Sequence, residues 1–303
     1  MKNKKLQGNL AMIGGKTLSG FNSNALKYLI PVWMSPFTGV TFRLAFGAIA
    51  FWITDFILSK YNKNNSEKHS FKDILYLIFL GVVCNFGFMA FYLSGLKYTT
   101  PISSSIILAM VPIWVLAISV LYYKEKLTIL KIVGIIIGFG GVILSMSSKR
   151  DSSLASNALL GDILTLGCSI IYSIYLVIEK KLLKKFNNIT ILKWTFTGAA
   201  LTAIIVNLVV GIDTHVFKEG IFSPPALALL FVLFGPTYFT YLLLPVGLKY
   251  LSPTVVSMYG YLIIVIASIV AYITGQDKFA WVQLFSIILL CASVYLVEKS
   301  ESA

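Results

Sequence analysis

A chain of 303 residues that is 57% hydrophobic and only 12% charged, with a mean hydropathy of +0.84, is too apolar for a soluble protein, in which about a quarter of the residues are charged. Its net charge of +13 would suit a nucleic-acid partner, but the lysines sit mainly in short connections between apolar stretches, the pattern that membrane insertion leaves. Composition therefore excludes a soluble domain, argues against nucleic acid and points to one polytopic helical bundle.

A helix needs about 20 mostly apolar residues to cross the hydrocarbon layer. In chain order the spans are predicted at 8–29, 36–58, 73–95, 101–122 and 128–146. A polar linker, 147–157, follows, and then spans at 158–179, 189–211, 225–247, 253–274 and 279–297. The first is the weakest, diluted by Asn9, Lys16, Asn22 and Asn24. Its leading Met1-Lys2-Asn3-Lys4-Lys5 has the look of a signal n-region. Gly14-Gly15-Lys16 breaks the apolar run and no small-residue cleavage site follows, so the segment is expected to stay as a helix.

The two sets of five are copies. Gly95-Leu96-Lys97-Tyr98-Thr99-Thr100-Pro101 returns 152 residues later as Gly247-Leu248-Lys249-Tyr250-Leu251-Ser252-Pro253. Glu125 falls opposite Asp277 at the same offset, and Gly8-Asn9-Leu10 faces Gly161-Asp162-Ile163 at 153. Duplicated apolar units belong to secondary transporters. Five spans per copy is odd, so the second copy should enter the membrane upside down. The expected fold is an all-α membrane protein of ten transmembrane helices, two inverted five-helix repeats spanning 1–146 and 158–303. Basic residues concentrate on the N-terminal side of the predicted membrane, with Lys180, Lys181, Lys184 and Lys185 among them. Both termini are therefore expected to be cytoplasmic.

Several short runs occur in a telling order: Gly20-Phe21-Asn22 in the first span, Arg43 early in the second, and the Gly-Leu-x-Tyr-x-x-Pro run after the third and eighth. Pro112 lies in the fourth, and Lys124-Glu125-Lys126-Leu127 precedes Gly134, Gly138 and Gly141 in the fifth. In this order the chain resembles the drug/metabolite transporter superfamily, specifically its ten-helix EamA-type members. The resemblance implies export of amino acids or other small metabolites across a bacterial inner membrane, with two inverted halves around a central cavity. The chain departs from the pattern at Ser19, where many members carry tryptophan, at Lys16, and at Ile264, which stands where the first copy has Pro112.

Lys16 lies eight residues beyond Gly8, roughly 12 Å along a helix, near the middle of a core about 30 Å thick. A cation there costs at least ~2.5–3.5 kcal/mol and needs a cavity or a partner. It is either a contact for a substrate carboxylate or phosphate, or a tie to a carbonyl or hydroxyl. Arg43, about 10 Å in from Pro36, either snorkels to the headgroups or acts as a gate or anion contact at the outer mouth. Lys193 is expected to anchor at the interface.

Four stripes at helical spacing are candidates for the cavity lining, the alternative being helix packing. They are Lys16, Ser19 and Asn22; Asn85, Phe88 and Tyr92; Tyr172, Tyr175 and Glu179; and Tyr238, Tyr241 and Pro245. Ser104, Met110, Ser257 and Tyr261 are further candidates. Pro112 removes a helical hydrogen bond and marks a hinge or a free carbonyl. Gly134, Gly138 and Gly141, with Ser286 and Ser293, have the spacing of close helix packing. Tyr98, Tyr122, Tyr123 and Tyr250 suit the interface.

Glu125 and Asp277 are expected in solvated turns, and Asp162 and Glu179 at helix ends within reach of water. No acid is predicted at mid-depth, which weighs against proton antiport. The absence of a first-helix glutamate disfavours the four-helix multidrug branch. Cys84, Cys168 and Cys291 have no ligand spacing and are expected to be small buried hydrophobes. His69 and His215 fall in predicted loops, and neither a metal-binding motif nor a nucleophile elbow is present. No enzyme, metal or cofactor is expected. The expected partners are a small-molecule substrate and the lipid bilayer, with a homodimer left open. The leading cargo is an amino acid or related metabolite, and the alternative is a phosphorylated sugar, nucleotide sugar or other organic anion.

Overall fold

The computed structural model describes residues 2–61, 70–123, 128–146, 155–251, 253–278 and 280–301. These are helical with short connections, and no strand occurs among them. The first part holds α1 (Lys2–Leu29), α2 (Pro36–Tyr61), α3 (Phe71–Leu80), α4 (Gly87–Tyr98), α5 (Pro101–Leu108), α6 (Val111–Tyr123) and α7 (Ile129–Met146). The second holds α8 (Ala158–Leu182), α9 (Asn188–Val210), α10 (Pro224–Val232), α11 (Thr240–Tyr250), α12 (Pro253–Met258), α13 (Gly260–Ile273) and α14 (Trp281–Glu301). Each predicted span falls on one helix or on two helices in succession.

The starts are encoded locally. Pro101 and Pro224 open α5 and α10, where a missing N–H costs nothing. The side chains of Thr100, Asn157 and Asn187 accept from the N–H groups of Ser103, Leu160 and Thr190, capping α5, α8 and α9.

Among the described residues, seven helical stretches are long and apolar enough to cross a membrane, including Phe71–Tyr98, Asn188–Val210 and Pro224–Tyr250. The polar residues of α1 keep it out of that set, and α7 and α14 contribute shorter apolar runs, Ile132–Gly141 and Trp281–Ser293. Large apolar side chains point outward, Phe71, Leu208, Val209 and Ile273 all being strongly exposed. Polar ones are turned inward, with Thr38, Ser103, Thr165, Ser169 and Thr195 fully buried. That inside-out distribution is the surface of a multi-pass membrane protein.

Contacts recur at the sequence offset. α2 and α9 run in opposite directions: Asn207 donates to the Thr41 hydroxyl at 3.0 Å, and Lys193 pairs with Asp55 at 2.7 Å. Thr41 and Lys193 are 152 apart, as are Asp55 and Asn207. Lys193, expected at the interface, is half-buried and paired with this partly exposed acid. The Lys27 ammonium donates to the carbonyls of Leu96 and Thr99 at the end of α4. Lys180, 153 residues later, does the same to Leu248 and Leu251 at the end of α11. Each lysine satisfies carbonyls that a helix end leaves free and complements its dipole.

Two irregularities are also repeated. α3 passes into α4 through a π-helical turn, Gly81–Phe86, and α10 into α11 through another, Leu233–Phe239. Both begin at positions 152 apart. The fourth and ninth predicted spans are broken, at Ala109–Met110 between α5 and α6 and at Tyr259 between α12 and α13. The first break has its cause two residues on, where Pro112 has no N–H for the Leu108 carbonyl. α7 and α14 pack closely, Ser293 donating to the Gly134 carbonyl at 2.6 Å. A Cβ at Gly138 would collide with Ile113 and Ser293.

Some expectations are corrected. Asp162 and Glu179 are fully buried, out of reach of water. Asp277 is buried, where a solvated turn was expected, and accepts from the Lys278 N–H at 2.8 Å. Cys291 is exposed on α14, whereas Cys84 and Cys168 are buried. Glu125, its lysine neighbours, His69 and most of the linker lie outside the described residues, as do the side chains of Tyr122, Tyr123 and Tyr261.

Candidate functional site

The second π turn and residues flanking both helix breaks border a cavity inside the bundle. Its wall takes Lys16, Ser19 and Asn22 from α1, Arg43 from α2, and Phe88 and Tyr92 from α4. Tyr172 comes from α8, Pro236 from the second π turn, and Thr240, Tyr241 and Leu244 from α11. The broken helices supply Leu108 and Val111 on one side and Ser257, Gly260 and Ile263 on the other. The cavity measures about 90 Å³ for the centres of water molecules, several times the ~10–15 Å³ that one water needs. It has room for a small solute.

Two cations line it, and no acid does among the described residues. Lys16 is buried and donates to the Tyr172 hydroxyl at 3.2 Å, its ammonium 5.2 Å from the centre of that ring. Of the two sequence readings, a hydroxyl tie is thus present, and the same ammonium also faces the cavity. Arg43 is only 3% exposed, so it does not snorkel. Its Nε donates to the Thr237 hydroxyl at 2.8 Å, and its Nη1 has no partner among the described residues. Asn22 presents the converse, an Oδ1 without a donor. An unpaired donor beside a buried positive charge and an unpaired acceptor thus open on one small space. Buried polar atoms are seldom left so, and a solute carrying both an anion and a donor would satisfy them.

Aromatic rings form the rest of the wall. Phe88 stacks on Tyr92 with centroids 6.0 Å apart and meets Tyr172 at 5.1 Å. Ser19 and Thr240 both donate to the Gly15 carbonyl, at 3.0 and 3.2 Å, which ties α11 to α1.

The structure brings together Lys16, Ser19, Asn22, Arg43, Phe88, Tyr92, Tyr172 and Tyr241 from the sequence-predicted set, together with Ser257. Others lie off the cavity. Asn85 donates to the Thr195 hydroxyl at 3.2 Å, against α9. The Tyr238 hydroxyl lies 2.7 Å from that of Thr54, its ring on Phe51. Tyr175 donates to Glu179 at 3.0 Å. Pro112 is buried one residue beyond Val111.

The π turns explain Asn85 and Tyr238. Each π turn holds an extra residue, so a stripe counted at α-helical spacing changes face where it crosses one. Among the residues that the sequence reading missed, Leu108, Val111, Leu244 and Ile263 are apolar and carry no signal that separates cavity from core. Pro236 and Thr240, inside an apolar run, were visible marks.

A model of the EamA-like transporter family matches residues 6–147 and again 159–298. The chain belongs to the EamA-like transporter family. Among its relatives is "Uncharacterized transporter YyaM" of Bacillus subtilis, 22% identical over 275 residues, covering 90% of this chain and 87% of the relative. An "Uncharacterized transporter" of Archaeoglobus fulgidus is 26% identical over 217 residues, 70% of this chain and 72% of the relative. A solved crystal structure superposes with a TM-score of 0.63 at 16% identity, covering 98% of this chain and 96% of the other, and shares the fold. As an EamA-like protein the chain is a membrane transporter, and its two family matches divide at the predicted linker.

Proposed function

We propose that the chain exports a small amino acid or a closely related metabolite across a bacterial inner membrane by alternating access. Its two halves, 1–146 and 158–303, would be inverted copies making ten crossings, with both termini cytoplasmic. The opposed courses of α2 and α9 support the inversion, because repeat-related helices can pack antiparallel only about a twofold axis across them. Cargo binds where the halves meet, and rocking of one half on the other exposes the site to each side in turn. The second π turn and the broken helices on the cavity wall are where such a fold can bend.

One observation carries the cargo assignment: the unpaired Arg43 Nη1 and Asn22 Oδ1 on a wall with two cations and no acid. Arg43 and Lys16 receive the carboxylate, Asn22 accepts from the ammonium, and Phe88, Tyr92 and Tyr172 enclose the side chain. Asn85, first considered for this role, instead holds α9. The two cations also favour an organic phosphate, which would lack a partner for Asn22. Membership of a transporter family supports transport as the activity.

The test is counterflow into proteoliposomes, run in parallel with radiolabelled amino acids and with sugar phosphates. Saturable exchange of an amino acid, lost in Arg43→Gln, is the expected result. Exchange of sugar phosphates alone would move the assignment to the organic anions, and no exchange of either would refute both.

A further inference from the structure

Glu179 lies about 10 Å along α8 from Tyr172, seven residues on at 1.5 Å each, and is fully buried. Its Oε1 accepts from the Tyr175 hydroxyl at 3.0 Å, and its Oε2 meets no donor among the described residues. Its chain neighbours Tyr175, Leu176 and Val177 belong to an apolar cluster that also holds Met12, Leu80, Leu244 and Leu248. The titratable groups within electrostatic reach are Tyr172 and Tyr175 on its own helix, Cys84 from the first π turn, and Tyr241 from α11. Tyr259, between α12 and α13, packs on the same cluster. Two cations are close in the fold but engaged elsewhere. Lys180 is turned onto the carbonyls of Leu248 and Leu251, and Lys16 onto the Tyr172 hydroxyl.

The fold does not require a carboxyl here. At the offset of 153 that relates Lys27 to Lys180, Glu179 corresponds to Leu26, which is equally buried. One half fills the place with an apolar side chain and the other with an acid that no cation meets among the described residues. A lone carboxylate in apolar surroundings is far more costly than the acid, so such a group takes up a proton while it stays dry. It is also connected to the cavity, because Tyr172 lines the wall beside Lys16 and Tyr175, three residues on, holds Glu179.

We infer that Glu179 is a proton-binding site that couples transport to the proton gradient. The carboxyl holds its proton while the apolar cluster is closed over it. When that end of the bundle opens, the O–H bond breaks, the proton passes to water, and a solvated carboxylate remains. Closing reverses the step. The coupling rests on the transporter reading but not on the identity of the cargo.

The experiment uses the full chain in proteoliposomes. Infrared difference spectra between acid and alkaline buffer should show a protonated, buried carboxyl in the wild type. Glu179→Gln, which keeps size and an acceptor for Tyr175, should lose that band, and Tyr175→Phe should shift its frequency. Identical spectra for wild type and Glu179→Gln would overturn the proton site. In the second arm, a radiolabelled amino-acid mixture is offered with and without a pH gradient. Glu179→Gln should keep exchange at equal pH and lose acceleration by the gradient. Acceleration equal to wild type would overturn the coupling. If no amino acid moves in the wild type, the cargo assignment fails while the infrared arm still decides the proton site.

Discussion

Two helix crossings occupy corresponding places in the molecule and are built differently. Where α9 crosses α3, Gly81 lies against the Thr195 backbone and Gly198 against that of Ile78, both too close for a Cβ. Where α2 crosses the second π turn, the positions 152 away from Gly81, Thr195 and Gly198 are Leu233, Arg43 and Phe46. Side chains hold that crossing apart, with Phe46 meeting Phe234 edge-on at 4.8 Å. The contacts Asn85–Thr195 and Arg43–Thr237 are likewise repeat-related. Only the second opens on the cavity. Duplication supplied the scaffold twice, and the looser copy is where a cation and a free volume were placed together.

The comparison can be broken most sharply at the glycine. Gly81→Leu, which installs the residue of the other half, should destabilise the protein by about 3 kcal/mol through overpacking against backbone. The reciprocal Leu233→Gly should cost about 2 kcal/mol, the helix penalty of glycine plus the loss of a partly buried side chain. Thermal melts in detergent measure both, and equal losses would contradict the asymmetry. Next in size, Arg43→Gln should weaken amino-acid binding by roughly 10–100-fold, the scale of one hydrogen bond to a charged group. Thr195→Val, at the corresponding position, should leave affinity unchanged in the same titration.

The shared features should respond alike. Lys27→Met and Lys180→Met each remove a cation from a helix C-terminus and should each lower stability by about 1 kcal/mol. A large difference between them in parallel melts would mean that the two caps are not equivalent. Smallest is Asn85→Ala, which should cost about 1 kcal/mol or less of stability and leave cargo affinity as it was.

The repeat explains how much could be read from sequence. A run as specific as Gly-Leu-Lys-Tyr, returning at a fixed offset between apolar stretches, locates helices and their copies because span length is set by the bilayer. The Lys16, Ser19 and Asn22 stripe was legible since α1 is one uninterrupted helix. Asn85 and Tyr238 were misplaced because each lies in a π turn, and Gly81 through Phe86 contains no proline or charge to mark one. The position of Arg43 was undecided for another reason. Distance from Pro36 sets its depth, but the partner that keeps it inside is Thr237, on the other half of the chain. Glu179 looked solvated from its place at the end of a predicted span. Its full burial is set by tertiary packing around α8, for which the local sequence carries no signal.

The account turns on the central cavity being the cargo site, and Ser257 gives direct access to it. Ser257 lines the cavity, is buried, and differs from cysteine by a single atom. In a chain with Cys84, Cys168 and Cys291 replaced by alanine, Ser257→Cys should react with a small water-soluble maleimide, and the transported amino acid should slow that reaction. A thiol that labels at the same rate with and without saturating amino acid would contradict the assignment.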